Sequence, residues 1–200
     1  MGALADLALR RRPRRGAPAP DRPAGAPQAR LSSTSLRSGA QRIVGGLEAA
    51  GVTLAASVPD TWIGRLMATV RESRTIRAVD AAREEEAVAI ACGVGLAGGR
   101  GAVLIQNAGL FNCGGVLAGL VDLYRIPCFF IVSYRGDRRD PVYYHEPKGR
   151  VTEPTLTAWR LPYAIADRAG DLAAQVGRGV EAAEKSRGPF VLLISGEDLE

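Results

Sequence analysis

Histidine occurs once in the 200 residues, at His145, and cysteine three times. One imidazole leaves a single base for any Ser-His-Asp arrangement and too few soft ligands for an all-protein transition-metal site, so no metal-ligand set is expected in this chain. Cys92, Cys113 and Cys128 are an odd number, spaced by 21 and 15 residues with no C-x-x-C pair. They read as small buried hydrophobes in a reducing compartment, which places the protein in the cytoplasm. Aromatic residues make up only 6% of the chain. Apolar stretches are broken well before the roughly 18 residues that a membrane span needs, so no membrane association is expected. Phosphate-binding fingerprints are missing too: no G-x-G-x-x-G follows a strand with an acidic residue downstream, and there is no G-x-x-x-x-G-K.

Positive charge on the domain itself is also scarce. Residues 1–42 hold nine Arg and two Asp, for +7, which leaves 17 basic and 19 acidic residues, for −2, in the remainder. The net charge of +5 therefore belongs to the N-terminal tail. A nucleic-acid-binding surface needs clustered Lys and Arg on the folded part, so no nucleic-acid partner is expected. Within residues 1–37 the run RRRPRRGAPAPDRPAGAPQAR combines Pro, Gly, Ala and Arg without hydrophobic periodicity. That composition predicts a disordered basic tail, an idle extension or a tether, followed by one domain over 38–200.

From Ser38 onward, helix-period and short apolar runs alternate. Ile43, Val44 and Leu47 share one helical face over 38–50, and Ile63, Leu66, Met67 and Val70 share another in a helix from Asp60. Further helices are predicted over 83–96, 111–123, 154–159 and 171–185. Strands are predicted at TLAASV from Thr53, TIRAV from Thr75, AVLIQ from Ala102, CFFIVS from Cys128 and FVLLIS from Phe190. Strands this uniformly apolar are buried on both faces. The fold expected is a doubly wound α/β domain, a mainly parallel sheet of about six strands with helices on both faces.

Ligands of such folds sit at the carboxyl ends of the strands. The segments there are Val58 to Thr61, Asp80 to Glu86, Gln106 to Gly109, and the long loop from Tyr134 to Arg150, a lid or binding-loop candidate. Several residues carry two readings. Asp60 and Asn107 can each cap a helix or face a ligand. Glu84, Glu85 and Glu86 can stabilise a helix start through its dipole or do chemistry. Arg135, Arg138, Arg139, Lys148 and Arg150 form either a solvated loop or a set of anion partners, and His145 is either structural or a proton carrier.

Read together, REEEAVAIACGVGLAGG from Arg83, AVLIQNAGLFN from Ala102, SVPDTWI from Ser57, YRIPCFFIVSYRGD from Tyr124 and HEPKGRVTEPTLTAWRLPY from His145 resemble the pyrimidine-binding domain of thiamine-diphosphate-dependent 2-oxo acid decarboxylases. Within that family they are most similar to the sulfopyruvate and phosphonopyruvate decarboxylase branch. The resemblance spans nearly everything from Ser38 to the end, and the five blocks come in the family's order.

The resemblance implies a role for each block. In the family a glutamate nine residues before the glycine of an A-x-G turn hydrogen-bonds N1′ of the cofactor's aminopyrimidine. Counting back from Gly93 selects Glu84, with Glu85 the alternative register. Burial against neighbours such as Val88 must outweigh the helix dipole if that carboxyl is to share a proton. Gln106, Asn107 and Gly109 would line the thiamine diphosphate pocket. Asp60, Arg135, Lys148 and Arg150 would meet an anionic 2-oxo acid, and His145 would be a second catalytic group. The family's G-D-G motif with a downstream Asn, which holds the diphosphate and Mg²⁺, is missing from the sequence. That implies an α subunit of a split enzyme, a hetero-oligomer with a β subunit carrying the diphosphate and the metal. A carboligase subunit related to acetolactate synthase and a non-catalytic scaffold are the alternatives.

Overall fold

The computed structural model describes residues 37–200, so the expectation of a disordered tail over 1–37 lies, apart from Arg37, outside the described residues. The described part is one compact unit built on a six-stranded sheet. Helix α1 (Gly39–Ala49) opens at Ser38, whose side chain accepts from the Gln41 amide while Gln41 reaches back to the Ser38 N–H. There follow β1 (Leu54–Ser57), α2 (Thr61–Glu72), β2 (Arg77–Asp80), α3 (Glu84–Leu96) and β3 (Gly101–Gln106). A broken helical segment comes next: α4 (Asn107–Leu110), a 3₁₀ turn, α5 (Gly114–Val116) and a π-helical turn over Leu117–Asp122. The chain continues through β4 (Cys128–Ser133), α6 (Glu146–Ala158), β5 (Tyr163–Ile165), α7 (Leu172–Ser186) and β6 (Pro189–Ile194).

All pairings are parallel, in the order β2-β1-β3-β4-β6-β5. Alternation along each strand divides the core into two layers. Ala55, Leu104, Phe129, Ile131 and Leu192 point toward α1, α2 and α7. Ala56, Val103, Ile105, Phe130 and Leu193 point toward α3, the segment from α4 to the π turn, and α6. The predicted doubly wound parallel sheet is therefore what forms. β1 leads outward to β2 on one side and β3 lies on the other, so the order reverses between β1 and β3. Beside the carboxyl ends of these two strands such a sheet opens a crevice.

Three features depart from the expectations. The helix predicted at 154–159 starts at Glu146 and carries Pro154 inside it, with Pro147 in its first turn. An interior proline removes one backbone hydrogen bond and crowds the carbonyl four residues back, and burial of Thr152 and Leu156 on either side of it holds the helix across that defect. The loop from Tyr134 is correspondingly shorter: it ends at the 3₁₀ turn Tyr143–His145, which leads directly into α6. β5 was not anticipated, because three edge residues, two of them exposed, give no apolar run.

Core energetics give a direct check. Ile131 is fully buried in a central strand, whereas Leu123 is 67% exposed. Ile131→Ala should lower stability by about 2 to 5 kcal/mol, and Leu123→Ser should stay within about 0.5 kcal/mol, both read from urea unfolding midpoints.

Candidate active site

Asp60 organises the crevice at the switch point. Its Oδ1 caps α2, accepting from the Trp62 amide at 3.0 Å and the Ile63 amide at 2.7 Å. Its Oδ2 accepts from Gln106 Nε2 at 2.9 Å, Ser133 Oγ at 3.0 Å, and Arg135 Nε and Nη2 at 2.7 Å each. One carboxylate thus ties the ends of β1, β3 and β4 together. Burial works to raise its pKa, but Gln106, the Ile63 amide and Arg135 together hold it below the ordinary carboxylate value. The Arg135 guanidinium also stacks 3.7 Å from the centre of the Trp62 ring, and Arg135 is 5% exposed.

Asn107 is fully buried and donates through Nδ2 to the Arg135 carbonyl at 2.9 Å and to Thr152 Oγ1 at 2.8 Å. It joins the start of α4 to the end of β4 and to α6. Two residues later the chain passes Glu84. A Cβ placed on Gly109 would lie 2.3 Å from Glu84 Oε1 and 2.4 Å from Glu84 Cγ, so only glycine admits this approach.

The three acids at the start of α3 have separate environments. Glu85 pairs with Arg83 at 2.9 Å, which holds its carboxyl below the ordinary value, and Glu86 accepts from the Ala82 amide at 2.9 Å. Glu84, half-buried against Gly109, has no hydrogen-bond partner for its carboxyl among the described residues. Nearby, burial first and then the Glu85 and Glu84 carboxylates push the Cys113 thiol up to about 12. All three cysteines are free and buried, as small hydrophobes.

The basic loop divides. Lys148 Nζ lies 3.4 Å from Gln106 Oε1, on the crevice side of α6, and has no acidic partner among the described residues. Arg150 instead lines a separate cleft of about 570 Å³ with Arg138, Arg139, Tyr134 and Glu153. Arg139 is engaged by Asp137 and Asp198, each at 3.0 Å. His145 Nδ1 sits 2.7 Å from Asp140 Oδ2, and Asp140 also accepts from the Gly136 and Val142 amides. Burial would raise the Asp140 carboxyl, but those amides and His145 bring it below the ordinary value.

The structure therefore groups Asp60, Gln106, Arg135 and Lys148 by direct contacts, sets Glu84 on Gly109, and holds His145 in the turn before α6 and Arg150 on another side of α6. Ser133, Trp62, Asp140 and Thr152 escaped the sequence reading. A signal existed for Ser133, a hydroxyl ending an otherwise apolar strand, and for Trp62, two residues beyond the cap. Asp140 and Thr152 carry none without the fold.

The Asp60 cluster makes two predictions. Asp60→Ala removes a cap and strands a buried guanidinium, and should cost about 3 to 5 kcal/mol in unfolding free energy. Asp60 and Asp140 both sit below their unfolded values, so their stabilisation is fully present above about pH 4 and is lost as pH falls through their lower folded values. The acid limb of a stability-against-pH curve should accordingly flatten in Asp60→Ala.

Residues 37–150 match the family described as thiamine pyrophosphate enzyme, N-terminal TPP binding domain. A sulfopyruvate decarboxylase subunit alpha from Methanothermobacter thermautotrophicus is 36% identical over 123 residues, covering 62% of this chain and 74% of that protein. A phosphonopyruvate decarboxylase from Streptomyces viridochromogenes is 36% identical over 130 residues, but the match covers only 32% of its length. In fold, the chain superposes on benzoylformate decarboxylase from Polynucleobacter necessarius with a TM-score of 0.65 at 20% identity, over 82% of this chain and 31% of that one. Sheet order, crevice and sequence agree: the chain belongs to the family of thiamine pyrophosphate enzymes and carries their N-terminal TPP-binding domain.

Proposed function

We propose that this chain is the α subunit of a split thiamine-diphosphate-dependent decarboxylase acting on sulfopyruvate, phosphonopyruvate or a similar anionic 2-oxo acid. In this reading the active site closes only when a β subunit brings the diphosphate and Mg²⁺. The observation that carries the reading is Glu84. It alone of its three neighbouring acids has an uncommitted carboxyl, and it lies against the one glycine that lets the crevice approach it. A carboxyl without a hydrogen-bond partner, packed directly on the glycine that follows the end of β3, suits the N1′ edge of an aminopyrimidine.

When bound, the cofactor supplies a thiazolium electron sink for the pair left behind as carbon dioxide departs. The chain's own residues do the rest. Glu84 would be the residue to share a proton, through its carboxyl, with N1′ of the cofactor, as general acid-base chemistry requires. Gln106 has its amide nitrogen fixed on Asp60, which turns its oxygen toward Lys148. The Lys148 ammonium is then the cation on the crevice side of α6 for the substrate's second anionic group. Arg135, spent on Asp60 and Trp62, acts by holding that arrangement together. His145, set by Asp140, belongs to the loop that covers the strand ends.

The test is reconstitution. The chain, co-expressed with a β chain bearing G-D-G and a downstream Asn, should release carbon dioxide from sulfopyruvate or phosphonopyruvate, and each chain alone should be inactive. At saturating cofactor, Glu84→Gln should reduce turnover by about 10² to 10⁴ and slow exchange of the cofactor's C2 proton alongside it. Glu85→Gln and Glu86→Gln should each cost under about tenfold, as helix-start charges do. A crippled Glu85→Gln would move the register by one residue, and normal exchange in all three variants would end the thiamine reading. Gly109→Ala, whose Cβ displaces the Glu84 side chain, should reproduce the Glu84→Gln loss although the carboxyl group is still present in the chain.

A further inference from the structure

The two cations grouped in the crevice sit on different elements: Arg135 directly after β4, and Lys148 in the first turn of α6, with residues 136–147 between them. A connection of that length leaves many positions open to α6 unless something closes it. Lys148 does little to fix its own place. Among the described residues its ammonium meets only Gln106 Oε1, at 3.4 Å, the long end of hydrogen-bonding distance. Where the ammonium sits is therefore decided by the backbone that carries it.

That backbone is pinned immediately beside each cation. Gly136 follows Arg135, Gly149 follows Lys148, and the two glycines cross in contact. A Cβ on Gly149 would overlap the Gly136 carbonyl, and one on Gly136 would overlap the His145 carbonyl and lie 2.8 Å from the Gly149 nitrogen. Gly136 also has φ +81°, in the left-handed region. The loop is closed on itself by Asp140, whose side chain is wholly buried. Its Oδ2 accepts from the Gly136 amide at 2.8 Å and lies 2.7 Å from His145 Nδ1, and its Oδ1 accepts from the Val142 amide at 3.1 Å. A carboxylate only accepts, so Nδ1 carries the proton of that bond. Tyr144 covers the imidazole edge-on, 4.7 Å between ring centres. The ring hydrogen bond of His145 is thus spent on Asp140 and not on a group of the crevice.

Resting on the reading of Lys148 as the partner of the substrate's second anionic group, we infer that Asp140 and His145 are positioning residues for anion recognition. By locking the crossing of Gly136 and Gly149 they hold Lys148 at a set distance from the Arg135–Asp60 pair. Thr152, bonded to Asn107, anchors the second turn of α6, and the crossing anchors the first, which carries Lys148. His145 then contributes to substrate binding without moving a proton.

Steady-state kinetics of the complex with the β chain, on sulfopyruvate and phosphonopyruvate, test this. Asp140→Asn and His145→Ala should each raise KM by about tenfold or more with kcat within about threefold of the parent, the mark of binding lost equally from ground and transition states. Lys148→Ala should raise KM to the same degree. Asp140→Asn placed on Lys148→Ala should add less than about twofold, because both act through one ammonium. His145→Asn, whose amide can replace the Nδ1 donor, should keep the parent's KM. A loss of kcat of about 100-fold in both His145 variants would make His145 a proton carrier and overturn the proposal. Additive effects of Asp140→Asn and Lys148→Ala would overturn it too, as would a lower kcat at unchanged KM, which is what loss of folded enzyme alone produces. A parent complex that releases no carbon dioxide from any 2-oxo acid would count against the decarboxylase reading alone. Hydrogen exchange of the full chain would then decide the lock: in Asp140→Asn the amides of residues 149–151 should exchange about tenfold faster with those of β3 and β4 unchanged, and parent-like exchange in that turn would overturn the proposal.

Discussion

A largely buried carboxylate that caps a helix and neutralises a guanidinium at the same time is the constraint on which this crevice depends. Asp60 gives one oxygen to the free amides of α2 and the other to Gln106, Ser133 and Arg135. A lone buried charge is expensive, and a buried pair is tolerated only when its remaining hydrogen-bonding positions are filled. Here they are filled by the first amides of α2 and by the ends of two strands, β3 and β4. Because Arg135 is held by Asp60, its carbonyl is in place for Asn107, and Asn107 in turn meets Thr152 on α6. That sequence of contacts fixes the turn from β3 into α4, and with it the position of Gly109 under Glu84.

The two layers of the sheet are unequally finished. The layer of α1, α2 and α7 is closed by amphipathic helices, each with a polar outer face. The layer of α3 and residues 107–122 has an apolar inner side and carries no charge over residues 87–99 and 107–121, so its outer side exposes Ala89, Gly93, Leu96, Gly115, Ala118 and Gly119. Such asymmetry has no purpose in a free-standing domain, where uncovered apolar surface invites association. It fits a domain of a larger assembly, and the incomplete layer is the one that bears Glu84.

Much of this was legible in the sequence, for identifiable reasons. Uniformly apolar runs such as CFFIVS can only be central strands of a sheet covered on both faces, and β4 spans the same six residues. Spacing from Gly93 within the family pattern singles out Glu84 as the candidate, whereas its different surroundings from Glu85 and Glu86 needed coordinates: three consecutive acids look alike until one pairs with Arg83 and another with the Ala82 amide. Helix α6 was half hidden because Pro154 reads as a start rather than an interior residue. Arg135 reads as an anion ligand, since nothing in the chain order brings it to Asp60, 75 positions away.

The basic loop shows why a count of charges along a segment does not predict a field. Lys148 and Arg150 are two residues apart, which on a helix places them on different sides. Lys148 and Thr152, one turn apart, face the crevice at Gln106 and Asn107, whereas Arg150 and Glu153 face the cleft beneath Arg138. Of the five cations between Tyr134 and Arg150, Arg135 and Arg139 are committed to buried or partly buried carboxylates. On the proposed reading the crevice then offers a second anionic group one compact ammonium rather than a guanidinium fork. A lone ammonium attracts charge without imposing a planar, two-pronged geometry, so on that reading Lys148 does not by itself distinguish a sulfonate from a phosphonate.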